Sequence, residues 1–303
     1  MREFFEAFSG YLKAERGASQ NTQEAYLRDL RNLAVFLEKT GIKKVEQVSP
    51  LELGGYLEEL SEQGRSSATI SRNTASIRAF FSWMRKEERL IVDPSVVLHP
   101  PKVVKHTPVI LNEAEIEQLL AVPSLKTAKG LRDRAMLELM YATGLRVSEL
   151  CGLQLSDAAQ KHRMLVISSG NTRLVPYDRR SARWLEKYLR TGRIQLLESA
   201  GKAEKREDCG ALFVNCQGEP MSRQGFWKLL KKYGRDAGIQ AELTPHVLRH
   251  SFAVHALKTG TDVDKLMNIL GHSAAATTSG YLEICREETQ LQEENDRSLH
   301  FKN

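Results

Sequence analysis

Four prolines fall within sixteen residues, at Pro94, Pro100, Pro101 and Pro108 of the run DPSVVLHPPKVVKHTP. Each fixes its own φ and removes a backbone donor, so no continuous helix crosses this stretch. It reads instead as an extended, semi-rigid spacer. A chain of 303 residues is long enough to bury a separate core on either side of it. The sequence therefore predicts an N-terminal domain over 1–92, a linker over 93–108 and a second domain over 109–303.

The part before the prolines reads as four helices and nothing else. Phe4, Phe8, Tyr11 and Leu12 fall on one helical face. Asn21 with Glu24 is a capping-box-like entry to a second helix that brings Tyr26, Leu30, Leu33 and Leu37 together. Ser49-Pro50 with Glu52 opens a third, with Leu53, Tyr56, Leu57 and Leu60 inward. The fourth begins near Ser67 and carries Ile70, Ile77, Phe80, Phe81 and Met84, leaving Arg72, Asn73, Arg78 and Arg85 for its other face. Such a face suits phosphate oxygens, and it suits plain solvent equally well.

Beyond the prolines, Asn112 and Glu115 form another cap pair, followed by Ile116, Leu119 and Leu120. A strongly apolar helix from about Gly130 to Tyr141 stops at Ala142-Thr143-Gly144, and a new helix opens with Arg146 at its start. Residues 164–168 and 173–177 are short β-type runs around Ser169-Gly170-Asn171-Thr172, a hairpin signal. Residues 179–197 read as a basic helix, 200–210 as a mobile loop and Leu212-Phe213-Val214 as a short strand. Ser222 caps a basic helix with Arg223, Trp227, Lys228, Lys231 and Lys232. Thr244-Pro245 starts another, on which His246 and Arg249 share one side near the positive end. After a break at Gly260-Thr261 a further helix runs to Leu270, with Gly271 as its C-cap, then His272, then Tyr281. The predicted class is mainly α with a small β-sheet.

No apolar run approaches the ~20 residues of a membrane span. The acids within MREFFEAFSGYLKAERG do not suit a signal peptide. Cys151, Cys209, Cys216 and Cys285 lack zinc-type spacing and read as reduced thiols of a cytoplasmic protein. The net charge is +6, and it is uneven: residues 106–282 carry +7 and residues 283–303 carry −3. A basic body with an acidic tail fits a polyanion, and nucleic acid is the commonest one. Lys102, Lys105 and His106 in the proline run suit a strap across a DNA backbone.

His246, Arg249, His272 and Tyr281, all within 36 residues, make a kit for binding and attacking a phosphodiester. Negative charge grows on the two non-bridging oxygens as a nucleophile adds to phosphorus. Arginine answers that charge with a planar fork of donors, and Arg146 and Arg249 could hold the centre between them. A phenol has a pKa of about 10, so attack by Tyr281 near neutral pH needs a base and a positive setting. There is no GxxxxGK[ST] loop and no carboxylate cluster suited to paired magnesium ions, so no cofactor is expected.

Three segments carry a family resemblance: ATGLRVSELCGL around Arg146, TPHVLRHSFAVH around His246 and Arg249, and LGHSAAATTSGY around His272 and Tyr281. They resemble the three signature boxes of the tyrosine recombinase, or phage integrase, family. Length, N-terminal helices and box spacing most resemble the Xer (XerD/XerC-like) site-specific recombinases. The resemblance implies a SAM-like core-binding domain joined to a catalytic domain, the two forming a C-shaped clamp on duplex DNA. It makes Tyr281 the nucleophile of a 3′-phosphotyrosyl intermediate, Arg146 and Arg249 the phosphate clamp, and His246 the base. His272 would bond a phosphate oxygen and Glu149 would orient an active-site group. The freed 5′-hydroxyl reverses the step on another strand, so neither ATP nor metal is needed. Base recognition would fall to the helix over Ser222, Arg223 and Lys228 and to the fourth N-terminal helix, with Arg72 and Arg78. The resemblance further implies a homo- or hetero-tetramer on DNA with a second recombinase, a tail that docks into a neighbouring protomer, a DNA translocase as regulator, and chromosome dimer resolution at a dif-like site.

The chain departs from the family at the hairpin. A lysine that protonates the leaving 5′-oxygen is expected there, in a pattern like GKGNKxRxVP. Here the loop reads SSGNTRLVP, with Ser169 at the lysine position and one residue fewer. Either the acid comes from elsewhere, Arg173 and Lys161 being nearest in sequence, or cleavage is slow. Gly280 also stands where a larger residue is usual. Two alternatives stay open: an integrase of a mobile element, and a DNA-binding protein with impaired catalysis.

Overall fold

The four expected N-terminal helices are α1 (Phe5–Ala14), α2 (Gln20–Lys39), α3 (Pro50–Glu62) and α4 (Ser67–Lys86). They are seen in a computed structural model that describes residues 2–102, 108–169, 172–200, 208–271 and Tyr281. Contacts divide the chain into two compact units, Met1–His106 and Thr107–Asn303. The capping box predicted for α3 is present, with Glu52 accepting from the Ser49 backbone at 2.8 Å. The cap of α2 is not Asn21. Ser19 has the extended backbone of a cap and accepts the Thr22 N–H at 3.2 Å, while Glu24 accepts from the Gln20 side chain.

The core of this first unit joins Phe8, Leu12, Leu30, Leu33, Leu53, Ile77, Phe80 and Phe81. Phe80 meets Phe8 edge-on at 5.3 Å and Phe81 at 5.4 Å. Asn73, expected on the polar face of α4, points inward and accepts a bond from the Tyr56 hydroxyl at 3.2 Å. It lies three residues after Ile70 and four before Ile77, on the apolar stripe itself. The start of the proline run also belongs to this unit. Ser95 is buried, its hydroxyl donating to Asp93 at 2.6 Å, and Leu98 packs into the helical core.

The second unit is built around α6 (Ala128–Thr143), in which nearly every residue is buried. A helix apolar on most sides must be enclosed, and its charges must be paired. Asp133 accepts from Arg132 at 2.8 Å and from the Tyr233 hydroxyl at 2.7 Å, and Glu138 accepts from Arg134 and Arg180, each at 2.8 Å. Around α6 lie α5 (Glu113–Ala121), α7 (Val147–Gly152), α8 (Arg179–Lys187), α9 (Arg193–Ala200) and α10 (Arg223–Asp236). The Asn112–Glu115 box caps α5, and a π-helical turn, Tyr188–Gly192, joins α8 to α9.

A three-stranded antiparallel sheet runs in the order β1 (Ala158–Ala159), β2 (Met164–Ile167), β3 (Arg173–Pro176). Its register pairs Ile167 with Arg173 and so places the predicted hairpin loop between them. Leu212, Phe213 and Val214 are fully buried, but they form no strand of this sheet. Among the described residues their neighbourhood holds the isolated bridges Gln154–Ala211 and Val214–Pro220. Within the expected loop 200–210, residues 201–207 lie outside the described residues. The last helices of the unit among the described residues, α11 (Pro245–Lys258) and α12 (Val263–Leu270), pack together through Ala253, Val254, Leu266, Leu270 and Tyr281.

Candidate active site

Three arginines from three separate segments converge on the C-terminal end of α12. Arg173 Nε, at the start of β3, donates to the Ile269 carbonyl at 2.9 Å. Arg249 Nη2, on α11, donates to the Leu270 carbonyl at 2.7 Å. Arg146 Nη2, at the cap of α7, donates to the Gly271 carbonyl at 3.2 Å. The last carbonyls of a helix have no partner within it and carry its negative end, so they gather cations. Gly271 holds a left-handed φ of +64°, and a Cβ there would lie 2.8 Å from the Arg173 guanidinium carbon. Glycine is what lets the arginine reach.

Glu149 braces the cluster from below. Its buried carboxylate accepts the Arg146 backbone N–H at 2.8 Å, Arg146 Nη1 at 3.3 Å and Arg173 Nη2 at 3.0 Å. Burial alone would push this carboxyl up, but the bonds from Arg173 and Arg146 outweigh it and hold it below its usual range. Ser169, at the position where a lysine was expected, donates to the same carboxylate at 3.5 Å. Arg173 is partly buried and committed to Glu149 and Ile269, whereas Lys161 is exposed.

Arg249 is buried, and its Nη1 also donates to the Gly144 carbonyl at 2.6 Å. Burial, with the Arg146 charge, lowers its pKa to about 10, so it stays charged near neutral pH. Tyr281 is buried beside it. Burial pushes the phenol up, while Arg249, through its charge and a hydrogen bond, and Arg146 pull against that rise. The Tyr281 hydroxyl lies 2.9 Å from Nδ1 of His250.

His250 was not singled out from the sequence. It follows Arg249 directly and stands four residues after His246, a spacing that puts the two histidines on one face. Their rings stack at 6.2 Å. His246 is exposed and borders a groove with Val147, Arg223, Trp227 and Thr244. The phenol therefore meets His250, not His246, in this arrangement. His272, Lys105, His106, Gly280 and the tail after Tyr281 lie outside the described residues.

The expected DNA-contact residues fall in different settings. Ser222 caps α10 by accepting the Gly225 N–H at 3.0 Å, leaving Arg223 and Lys228 exposed on that helix. Arg78 and Lys102 are exposed. Arg72 is tied by two bonds of 2.9 and 2.8 Å to the buried Asp29. Among the described residues no three His, Cys, Asp or Glu side chains gather as metal ligands, and no helix is long and apolar enough to cross a membrane.

The family model described as "Phage integrase family" matches residues 110–288, and "Phage integrase, N-terminal SAM-like domain" matches residues 5–88. Tyrosine recombinase XerD of Oceanobacillus iheyensis is 40% identical over 289 residues, covering 93% of this chain and 93% of that protein. Among solved structures, the crystal structure of XerA recombinase is 27% identical at a TM-score of 0.53, covering 96% of this chain and 98% of the other. The Tn1549 transposon integrase, in complex with circular intermediate DNA, shares the fold at a TM-score of 0.68 and 20% identity, over 91% of this chain and 94% of that one. A helical SAM-like unit, a mostly helical catalytic unit with a three-stranded sheet, and a curated relative of 40% identity along nearly the whole length lead to one assignment: this chain belongs to the phage integrase family, the tyrosine recombinases that cut and rejoin DNA site-specifically.

Proposed function

We propose that this protein is an Xer-type site-specific recombinase that cuts and rejoins duplex DNA through Tyr281 and resolves chromosome dimers at a dif-like site in the cytoplasm. One observation carries the assignment of residues: the Tyr281 hydroxyl is buried against Arg249, and Arg249 and Arg146 cap adjacent carbonyls of α12. Nucleophile and both guanidiniums thus come from one chain. A phosphodiester entering the cluster would find donors already aimed by those carbonyls, so little reorganisation is needed as charge develops on phosphorus.

The Tyr281 oxygen attacks phosphorus, forming the 3′-phosphotyrosyl bond and releasing the 5′-oxygen. Arg146 and Arg249 hold the non-bridging oxygens. Glu149 and Arg173 position Arg146, and His246 and His272 supply hydrogen bonds around the phosphate. Residues 1–92 serve as the DNA-binding domain, 93–108 as the linker and 109–303 as the catalytic domain. Arg72, Arg78, Lys102, Ser222, Arg223 and Lys228 contact DNA. Recombination proceeds in a tetramer, with a second recombinase as partner and a DNA translocase as regulator.

The test is a nicked suicide substrate carrying a dif-like site. A covalent protein–DNA adduct that survives denaturation, and is lost in Tyr281→Phe, is the expected result. DNA binding without any adduct favours the second reading, a DNA-binding protein with impaired catalysis, to which the serine at position 169 points.

A further inference from the structure

We propose that His250 is a catalytic residue of this recombinase, the group that takes the phenolic proton from Tyr281 as the tyrosine attacks. The inference rests on the assignment of Tyr281 as nucleophile and moves the base's role from His246, where the resemblance puts it, to His250, whose Nδ1 meets the phenol.

The geometry is direct. His250 Nδ1 lies 2.9 Å from the Tyr281 oxygen, and the two rings are 5.5 Å apart. That distance is hydrogen-bond reach for a base in contact with its proton. Arg249 can only donate, so the phenolic oxygen accepts from it. Accepting from Arg249 and donating to Nδ1 uses each of the three groups in its own sense. Both partners of the phenol come from adjacent residues of α11, so one helix fixes the clamp and the base together.

The surroundings keep the imidazole able to accept. Burial first, then the neighbouring His246 and Arg249, lower the His250 pKa from its ordinary 6.5. His246, exposed to solvent one turn earlier, has its ring 6.2 Å from that of His250. As the Tyr281 oxygen–phosphorus bond forms and the bond to the 5′-oxygen breaks, the phenolic proton moves to His250 Nδ1. The 5′-oxygen takes a proton from water, and the imidazolium then returns its own through Nε2 to solvent.

The test compares adduct formation on the nicked suicide substrate for the full chain and two variants. His250→Asn keeps an oxygen near the Nδ1 position but no basic nitrogen, and its adduct should form about 100-fold or more slowly while DNA binding is retained. His250→Ala should be slow in the same way and be rescued by added imidazoles, with rates that rise with the basicity of the imidazole. A purely structural histidine gives no such ordering. If His250→Asn forms adduct at the unsubstituted rate, or if no imidazole rescues His250→Ala, the assignment of His250 falls while the adduct lost in Tyr281→Phe still upholds the recombinase. If the unsubstituted protein forms no adduct at all, the recombinase reading falls and takes this one with it.

Discussion

Arg249 donates a 2.6 Å hydrogen bond to the carbonyl of Gly144, the left-handed residue that ends α6. The bond ties the most buried helix of the second unit to the arginine cluster. A Cβ at Gly144 would approach Phe252 to 2.3 Å and Leu270 to 2.7 Å, at a φ of +59°. Gly144→Ala should therefore destabilise the second unit by about 2 kcal/mol or more, since the left-handed backbone alone costs an L-residue about 1–2 kcal/mol. In thermal unfolding this reads as a fall of about 4–8 °C. Because Arg249 leans on that carbonyl, adduct formation should drop as well.

Arg249→Lys tests geometry apart from charge. A lysine keeps the positive charge but cannot span the Gly144 and Leu270 carbonyls as a fork. Adduct formation should fall by about 100- to 1000-fold, the usual effect of losing one donor to a developing oxyanion. DNA binding, measured by gel shift, should change far less.

The hairpin serine gives a gain-of-function prediction. Ser169 donates to Glu149 at 3.5 Å, and Arg173, the nearest cation in sequence, is held in two other contacts. Neither side chain is set to protonate a leaving 5′-oxygen. Ser169→Lys should speed cleavage of normal DNA by about 100-fold. It should do little for a 5′-phosphorothiolate substrate, whose sulfur leaves without a proton. If the protein as it stands cleaves the phosphorothiolate no faster than normal DNA, the proposed defect is absent.

Much of this was legible in the chain because local rules agreed with the fold. The Ser49–Glu52 and Asn112–Glu115 boxes, the Thr244-Pro245 start and the Gly271 stop are short-range signals, and each holds. Short-range rules also misled. Asn21 with Glu24 looked like a cap, yet Ser19 was better placed, and Asn73 was read as polar and outward although its spacing put it on the apolar stripe. The arginine positions could be named from motifs, but their hold on the α12 carbonyls could not. A backbone carbonyl has no letter in the sequence. His250 was visible at i, i+4 from His246, but only tertiary packing brings Tyr281 to it.

Glu149 predicts a dependence of stability on pH. Its folded pKa is held below the ordinary 4.5, so its contribution is present above that value and is lost as pH falls through the folded pKa. Protonation then loosens Arg173 and Arg146 together. Thermal unfolding of the second unit should fall on acidification below about pH 4.5. Glu149→Gln should be less stable at neutral pH and should show a shallower acid decline. Equal acid slopes for both proteins would place the acid sensitivity elsewhere.

Arg72 and Arg78 sit on the same helix and should separate stability from DNA binding. Arg72 satisfies the buried Asp29, while Arg78 is exposed. Arg78→Ala should leave thermal unfolding unchanged and weaken DNA binding, lowering the slope of log affinity against log salt by about 1 if it meets a phosphate. Arg72→Ala leaves a buried carboxylate without its partner, at a cost of about 1–3 kcal/mol. The unfolding of the first unit should drop accordingly, by several degrees. Adding Asp29→Asn removes the stranded charge, so the double variant should regain part of that stability. DNA binding that returns with the fold would mark Arg72 as structural. Binding that stays weak in the restored fold would mark it as a phosphate contact that Asp29 holds in place.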